Sequence, residues 1–158
     1  MEKKIAIIGY GSLIRNDDAV GLIITEKLEN EFKNNKLVDC YYSASSMDIL
    51  GYIEEYEIIY IIDCAMIDLN YGEFIKKEIN EIKFNSDNYS SHNIAFNEIK
   101  NKIKKMNKKT KIFFYLIKPK NMDFGEKLSN EIQKNMGKIY DTIHKELQNY
   151  LNTNSFNT

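Results

Sequence analysis

The chain reads as an α/β protein. The predicted fold is a three-layer αβα sandwich around a mostly parallel, twisted sheet of about five strands, one of them an antiparallel edge strand. Three observations predict it. The apolar runs Ile5-Ala6-Ile7-Ile8, Glu57–Asp63 and Ile112–Ile117 are rich in β-branched or aromatic residues and lack polar alternation, the mark of strands covered on both faces. Between them lie segments whose apolar residues recur at helical spacing, such as Val20, Ile23, Ile24 and Leu28. The two patterns alternate along 158 residues with no internal repeat and no linker, which suits one domain over 1–151 and a polar, frayed tail over 152–158.

Each element follows from local signals. The first helix is expected from Asp18 to Phe32, ending in the polar Asn34-Asn35 turn. Leu37–Tyr42 reads as the second strand, Ser43–Ser46 as a loop and Met47–Glu54 as a short helix capped by Ser45 or Ser46. Glu57–Asp63 is the most strand-like run and is placed at the centre of the sheet. After the turn Asp68–Gly72, the uneven alternation of Glu73–Phe84 suggests the antiparallel edge strand. Asn85–Ser90 is a polar loop, Ser91–Met106 a helix, and Ile112–Ile117 the last strand, stopped by Pro119. Asn121–Gly125 is a loop, and Leu128–Leu151 carries a long terminal helix.

Composition narrows the function. A formal net charge of −1 gives no global pull toward nucleic acid or an anionic membrane. No apolar run approaches the roughly 20 residues of a membrane helix, so no membrane insertion is expected. The start, Met1–Ile5, passes directly into a strand, which argues against a signal peptide. Two distant cysteines, Cys40 and Cys64, do not make a disulfide scaffold. These features point to a cytoplasmic protein, with a monomer favoured.

The stretch Gly9–Gly21 joins the first strand to the first helix, where open α/β sheets place their sites. A phosphate cradle is one reading of Gly9-x-Gly11. The dinucleotide fingerprint, however, requires a third glycine where Ile14 stands, and Asp17 and Asp18 would repel a pyrophosphate. The other reading is that one aspartate caps the helix while its neighbour faces the cleft as a metal ligand or acid/base; its plainer version has both act as caps alone. Three polar residues fall at or near carboxyl ends of strands: Asp18, Asp63 and His92. Two carboxylates and an imidazole suit zinc, nickel, iron or manganese and leave coordination positions open. Asp63 is also a plausible turn former, and His92 an ordinary first-turn residue. Cys64 has no evident base partner and reads as a small buried hydrophobe, His144 as a surface residue, and the lysines of Lys100–Lys111 as a solvated face.

The opening run Gly9-x-Gly11-Ser12-Leu13-x-x-Asn16-Asp17-Asp18-Ala19-Val20-Gly21 resembles the first motif of the hydrogenase maturation endopeptidases. Ile61-Ile62-Asp63-Cys64-Ala65, Ser90-Ser91-His92-Asn93-Ile94 and Ile117-Lys118-Pro119 resemble that family's later motifs, in order. The resemblance implies an endopeptidase that removes a short C-terminal peptide from a nickel–iron hydrogenase large-subunit precursor. It also implies that Asp18, Asp63 and His92 are the catalytic, metal-contacting residues. The nickel would be carried by the precursor, and the protease would hold no tightly bound metal of its own. The loops Ser43–Ser46 and Asn85–Ser91 would clamp the peptide. Departures from the family pattern are Ser12 for the usual Asn, Asn93 for the Gln after the His, Lys120 after Pro119 where Glu is common, and an added Arg15. The alternatives are a non-catalytic relative that binds a metallated partner, or a nucleotide-binding domain.

Overall fold

In the computed structural model, which describes residues 4–43, 48–83, 93–106 and 109–155, the apolar runs become strands of one five-stranded sheet. The strands are β1 (Ile5–Tyr10), β2 (Val38–Ser43), β3 (Ile58–Cys64), β4 (Phe74–Glu78) and β5 (Lys111–Ile117). The helices are α1 (Val20–Phe32), α2 (Ile49–Tyr52), α3 (Asn93–Met106) and α4 (Asn130–Ser155). Sheet order is β2-β1-β3-β5-β4. β1 pairs parallel with β2 and β3, and β3 with β5, while β4 runs antiparallel along β5. The α/β sandwich with one antiparallel edge is therefore the fold the sequence predicts.

Strand alternation sorts the core into two layers. Ile5 and Ile7 of β1, with Ile58, Tyr60, Ile62 and Cys64 of β3, face α1 and α4. Ala6, Ile8 and Tyr10, with Ile59 and Ile61, face α2 and α3. Every residue of β1 and β3 is buried, as expected for strands sandwiched between helices. Each fully buried isoleucine contributes about 1.5–3 kcal/mol of apolar transfer. α4 lays Ile132, Ile139, Ile143 and Leu147 on the sheet, a stripe at helical spacing.

Two glycines set the distance between α1 and the sheet. A Cβ on Gly21 would meet the Ile62 carbonyl oxygen at 2.4 Å and that of Tyr10 at 2.8 Å. A Cβ on Gly9 would meet Thr25 Oγ1 at 2.5 Å. The helix thus rests directly on the backbones of β1 and β3. The chain leaves β1 for β2 on one side, then returns past β1 to β3 on the other. That reversal makes the carboxyl ends of β1 and β3 the switch point of the sheet, where open α/β folds place their crevice.

On the same face of the sheet as α1, α4 supplies a polar anchor. The Glu146 carboxylate accepts the hydroxyls of Tyr60 (3.0 Å) and Tyr115 and pairs with Lys76, so one side chain ties α4 to β3, β5 and β4. The Lys76 ammonium also lies 4.1 Å from the ring centroid of Phe113.

Several boundaries differ from expectation. The first helix opens with a 3-10 turn, Asn16–Ala19, and becomes α-helical at Val20. The edge strand stops at Glu78, because Glu78 and Glu81 form a reciprocal capping box that starts a 3-10 turn over Ile79–Glu81. The last helix begins after Ser129 and runs through Ser155, so residues 152–155 belong to it. Thr153 Oγ1 bonds the Asn149 carbonyl and Asn154 Nδ2 that of Tyr150, both at 2.8 Å, which holds the last turn. His144 is half-buried, stacked on Tyr140 and tilted against Phe32 with Glu31 at 3.3 Å, rather than lying free on the surface.

The tight seat of α1 yields a prediction. Gly21→Ala should destabilise the protein by about 3 kcal/mol, because the methyl would press on carbonyl oxygens that cannot move without parting helix from sheet. Gly137→Ala, where an added Cβ meets nothing within 4 Å, should instead stabilise by about 0.5–1 kcal/mol. Urea midpoints of the two variants test this; a Gly21→Ala protein as stable as its parent would refute the close-approach account.

Candidate active site

The crevice is built by the exits of β1 and β3. Asp63 is the penultimate residue of β3 and is 2% exposed. By alternation its side chain lies on the Tyr10 face of the sheet. The Tyr10 phenol is pushed well above its ordinary range, first by burial and then by the charges of Asp48 and Asp63. Asp18 lies in the 3-10 turn after β1 and is half-buried. Gly11 allows that turn to fold back: its φ is +139°, and a Cβ there would sit 1.9 Å from the Asp18 carbonyl oxygen and 3.4 Å from Asp18 Cγ.

Asp17 does not cap α1; no side chain does. It is fully buried, and its carboxylate reaches across to residues that follow β5. Oδ2 accepts the backbone N–H groups of Lys120 and Asn121, each at 2.9 Å, and the Ser129 hydroxyl at 2.9 Å. Oδ1 accepts the Ser129 N–H at 2.7 Å. Ser129 immediately precedes α4 and offers its hydroxyl to the Ile132 N–H at 3.4 Å, so Asp17 secures the cap of the last helix. The backbone of Asp17 adds two further ties: its N–H donates to the Asn121 carbonyl at 3.0 Å, and its carbonyl accepts the Cys64 thiol at 3.2 Å.

Asn16 extends the clamp. Its φ of +44° is left-handed, a conformation Asn tolerates better than most residues. Its side chain bonds the Asp123 carbonyl (2.9 Å) and the Lys127 N–H (3.1 Å), and its backbone N–H bonds the Gly125 carbonyl (2.8 Å). Lys120 pairs with Glu131 at the start of α4, which raises the lysine pKa and lowers that of the glutamate. The pair is exposed and adds little.

The three aspartates share one environment. Burial pushes the Cys64 thiol well above its ordinary range, and the charges of Asp63, Asp18 and Asp17 add to the shift. Asp18 thus stands in the turn after β1 and Asp63 at the end of β3, both close enough to Cys64 for their charges to act on it. His92, the third expected residue, lies outside the described residues, as do residues 44–46 and 85–91 of the expected peptide clamps. The helix that follows, α3, packs Ile99 and Ile103 into the core layer on the Asp63 side. Among the described residues no three His, Cys, Asp or Glu side chains form a metal-holding group. Cys64 is buried, as the sequence suggests.

The clamp role of Asp17 was not visible in the sequence. Ser129 ahead of an apolar-periodic segment is a recognisable helix-start signal. Nothing local says that its second partner lies 112 positions earlier.

Two outcomes follow. Asp17→Ala should cost about 3 kcal/mol in denaturant unfolding, since it strands several buried donors. Asp17→Asn should also destabilise, because its amide presents hydrogens to groups that are themselves donors. Parental stability in both would refute the clamp. In the folded protein, both thiols should react slowly with a disulfide reagent at pH 8 and quickly once unfolded, since Cys40 is pushed up to about 12, chiefly by burial, and Cys64 is also raised. Rapid labelling of Cys64 in the native state would contradict the assigned environment.

Comparison with known proteins agrees with this architecture. Residues 22–146 match the family model HycI, hydrogenase maturation protease. A Methanocaldococcus jannaschii protein, whose own assignment as a hydrogenase maturation protease is provisional, is 32% identical over 151 residues, covering 89% of this chain and 86% of that protein. Among solved structures, the [NiFe] hydrogenase maturation protease HybD from Thermococcus kodakarensis superposes with a TM-score of 0.69 at 24% identity, over 90% of this chain and 97% of that one. The hydrogenase maturating endopeptidase HybD from E. coli gives a TM-score of 0.74 at 16% identity, over 93% of each chain. The superpositions establish the shared fold, and the family match extends over most of the chain: this protein belongs to the hydrogenase maturation proteases and is an endopeptidase.

Proposed function

We propose that this protease removes a short C-terminal peptide from the large-subunit precursor of a nickel–iron hydrogenase in the cytoplasm. In this reading, nickel already inserted into the precursor is held by Asp18, Asp63 and His92 while the peptide bond is cut. The observation that supports it is the placement of Asp18, in the turn after β1, and Asp63, at the end of the neighbouring strand β3, at the sheet's switch point, 45 residues apart in the chain yet both acting on Cys64. Two carboxylate oxygens and one imidazole nitrogen form a donor set that suits nickel and leaves room for ligands from the precursor. A cation arriving there also relieves the mutual repulsion of the carboxylates. Because the metal enters with the substrate, an empty protease has nothing to activate, and cutting waits for correct loading.

The chain's own residues have separate tasks. Asp18 and Asp63 orient the metal and the carbonyl beside it, and metal polarisation of that carbonyl or of an attacking water supplies the chemistry. Tyr10 stays a neutral phenol, so it adds no further negative charge beside Asp63. Cys64 is no nucleophile in this reading: it is buried and its thiol donates to the Asp17 carbonyl instead of facing substrate.

The test is cleavage of purified precursor, nickel-loaded and nickel-free, read as a gel shift. Asp18→Asn and Asp63→Asn keep the side-chain shape and should fold, yet each should lower the cutting rate by about 100-fold or more, because a site that loses a ligand holds its ion poorly. His92→Ala should behave alike. Nickel-free precursor should resist the unaltered protein. Parental rates in either Asn variant would overturn the site, and efficient cutting of nickel-free precursor would overturn the role of the metal.

A further inference from the structure

The loops beside the crevice carry large apolar side chains in the open. Leu13 is 62% exposed, Ile14 56% and Phe124 82%. Leu13 and Ile14 lie in the segment between Gly11 and Asp18, whereas Phe124 lies 110 residues beyond Ile14. The clamp brings them together: the Gly125 N–H donates to the Ile14 carbonyl at 3.0 Å, and Arg15 pairs with Gly125 as a parallel bridge. Arg15 Nε donates to the Met122 carbonyl at 3.1 Å, and its guanidinium carbon stands 5.8 Å from the Phe124 ring centroid.

Loops ordinarily expose polar side chains. Three exposed apolar ones on a backbone laced at several points form a fixed ridge that gains nothing from water. Side chains this exposed project into solvent and do not line a pocket for a small molecule. An aromatic ring, aliphatic side chains and an arginine are the residue types enriched where proteins meet. The ridge offers on the order of a few hundred Å², well below the ~800 Å² per partner of a stable complex. That area suits a partner that must leave, not a permanent second copy of this chain. The ridge is also continuous with Asp18, through the same loop, so a protein seated on it lies beside the bond being cut.

We propose that Leu13, Ile14 and Phe124 form a docking ridge for an apolar patch on the folded body of the precursor, separate from the peptide that is removed. This inference rests on the substrate reading above. The ridge sets how strongly the precursor is held, while the crevice sets how fast it is cut.

The experiment compares Ile14→Ser, Phe124→Ser and the Leu13→Ser/Phe124→Ser double variant with the parent, using nickel-loaded precursor. All three positions are exposed, so melting temperatures should match the parent's. KM should rise tenfold or more with kcat within twofold, and sedimentation of a precursor mixture should show loss of the complex. An unchanged KM in all variants, or a fall confined to kcat, overturns the ridge. If the parent sediments alone as a dimer that Phe124→Ser splits, the ridge is a self-contact and the proposal fails. If the parent binds precursor but does not cut it, the substrate reading fails; loss of that binding in Phe124→Ser still supports the ridge, and its retention overturns it.

Discussion

The buried carboxylate of Asp17 holds together what would otherwise be three independent loop ends. Four donors converge on its two oxygens, from Lys120, Asn121 and Ser129. These belong to the exit of β5 and the start of α4, whereas Asp17 belongs to the exit of β1. A buried charge is tolerated only when its hydrogen-bonding capacity is well used, and here it is. The tie fixes the turn that presents Asp18, and through the Asp17 carbonyl it also reaches Cys64 at the end of β3. The two neighbouring aspartates therefore divide their work: one faces inward and organises backbone, and the other remains half-exposed toward the crevice.

The glycines act at the other end of the same problem. Gly9 and Gly21 let α1 lie against β1 and β3, and Gly11 lets the loop fold back on Asp18. Dinucleotide-binding folds use glycines at comparable places to admit a pyrophosphate. Here the space is filled by the protein's own turn, closed by acidic residues. The same strand-to-helix geometry thus gathers carboxylates where those folds admit an anion.

Much of this was legible in the sequence because it is local. Continuous apolar runs located β1, β3 and β5, and the position of Asp63 at a strand end placed it at the crevice. Asp18 is singled out by its motif, not by its spacing, and it stands in the turn after β1. What escaped was set by partners far along the chain. Asp17 and Asp18 are the same residue type, side by side, and only the arrival of residues 120–129 separates their roles. The end of the last helix was placed too early because Asn152–Ser155 is polar; side chains bonding back to carbonyls one turn earlier sustain it. The edge strand was drawn too long because the Glu78 and Glu81 capping box reads, in sequence, like ordinary surface charge.

The Glu146 anchor bears on how the protein is made. Its donors, Lys76, Tyr60 and Tyr115, come from three neighbouring strands and precede it by 70, 86 and 31 residues. While the chain is still emerging from the ribosome, two tyrosine hydroxyls of the sheet lack this acceptor until α4 has followed. The long separations give a high contact order, which slows folding and concentrates it near the end of synthesis. A chain that has not yet delivered α4 lacks the Glu146 acceptor and also the neighbouring Ser129 that meets Asp17, so both ends of the sheet wait on the same last helix.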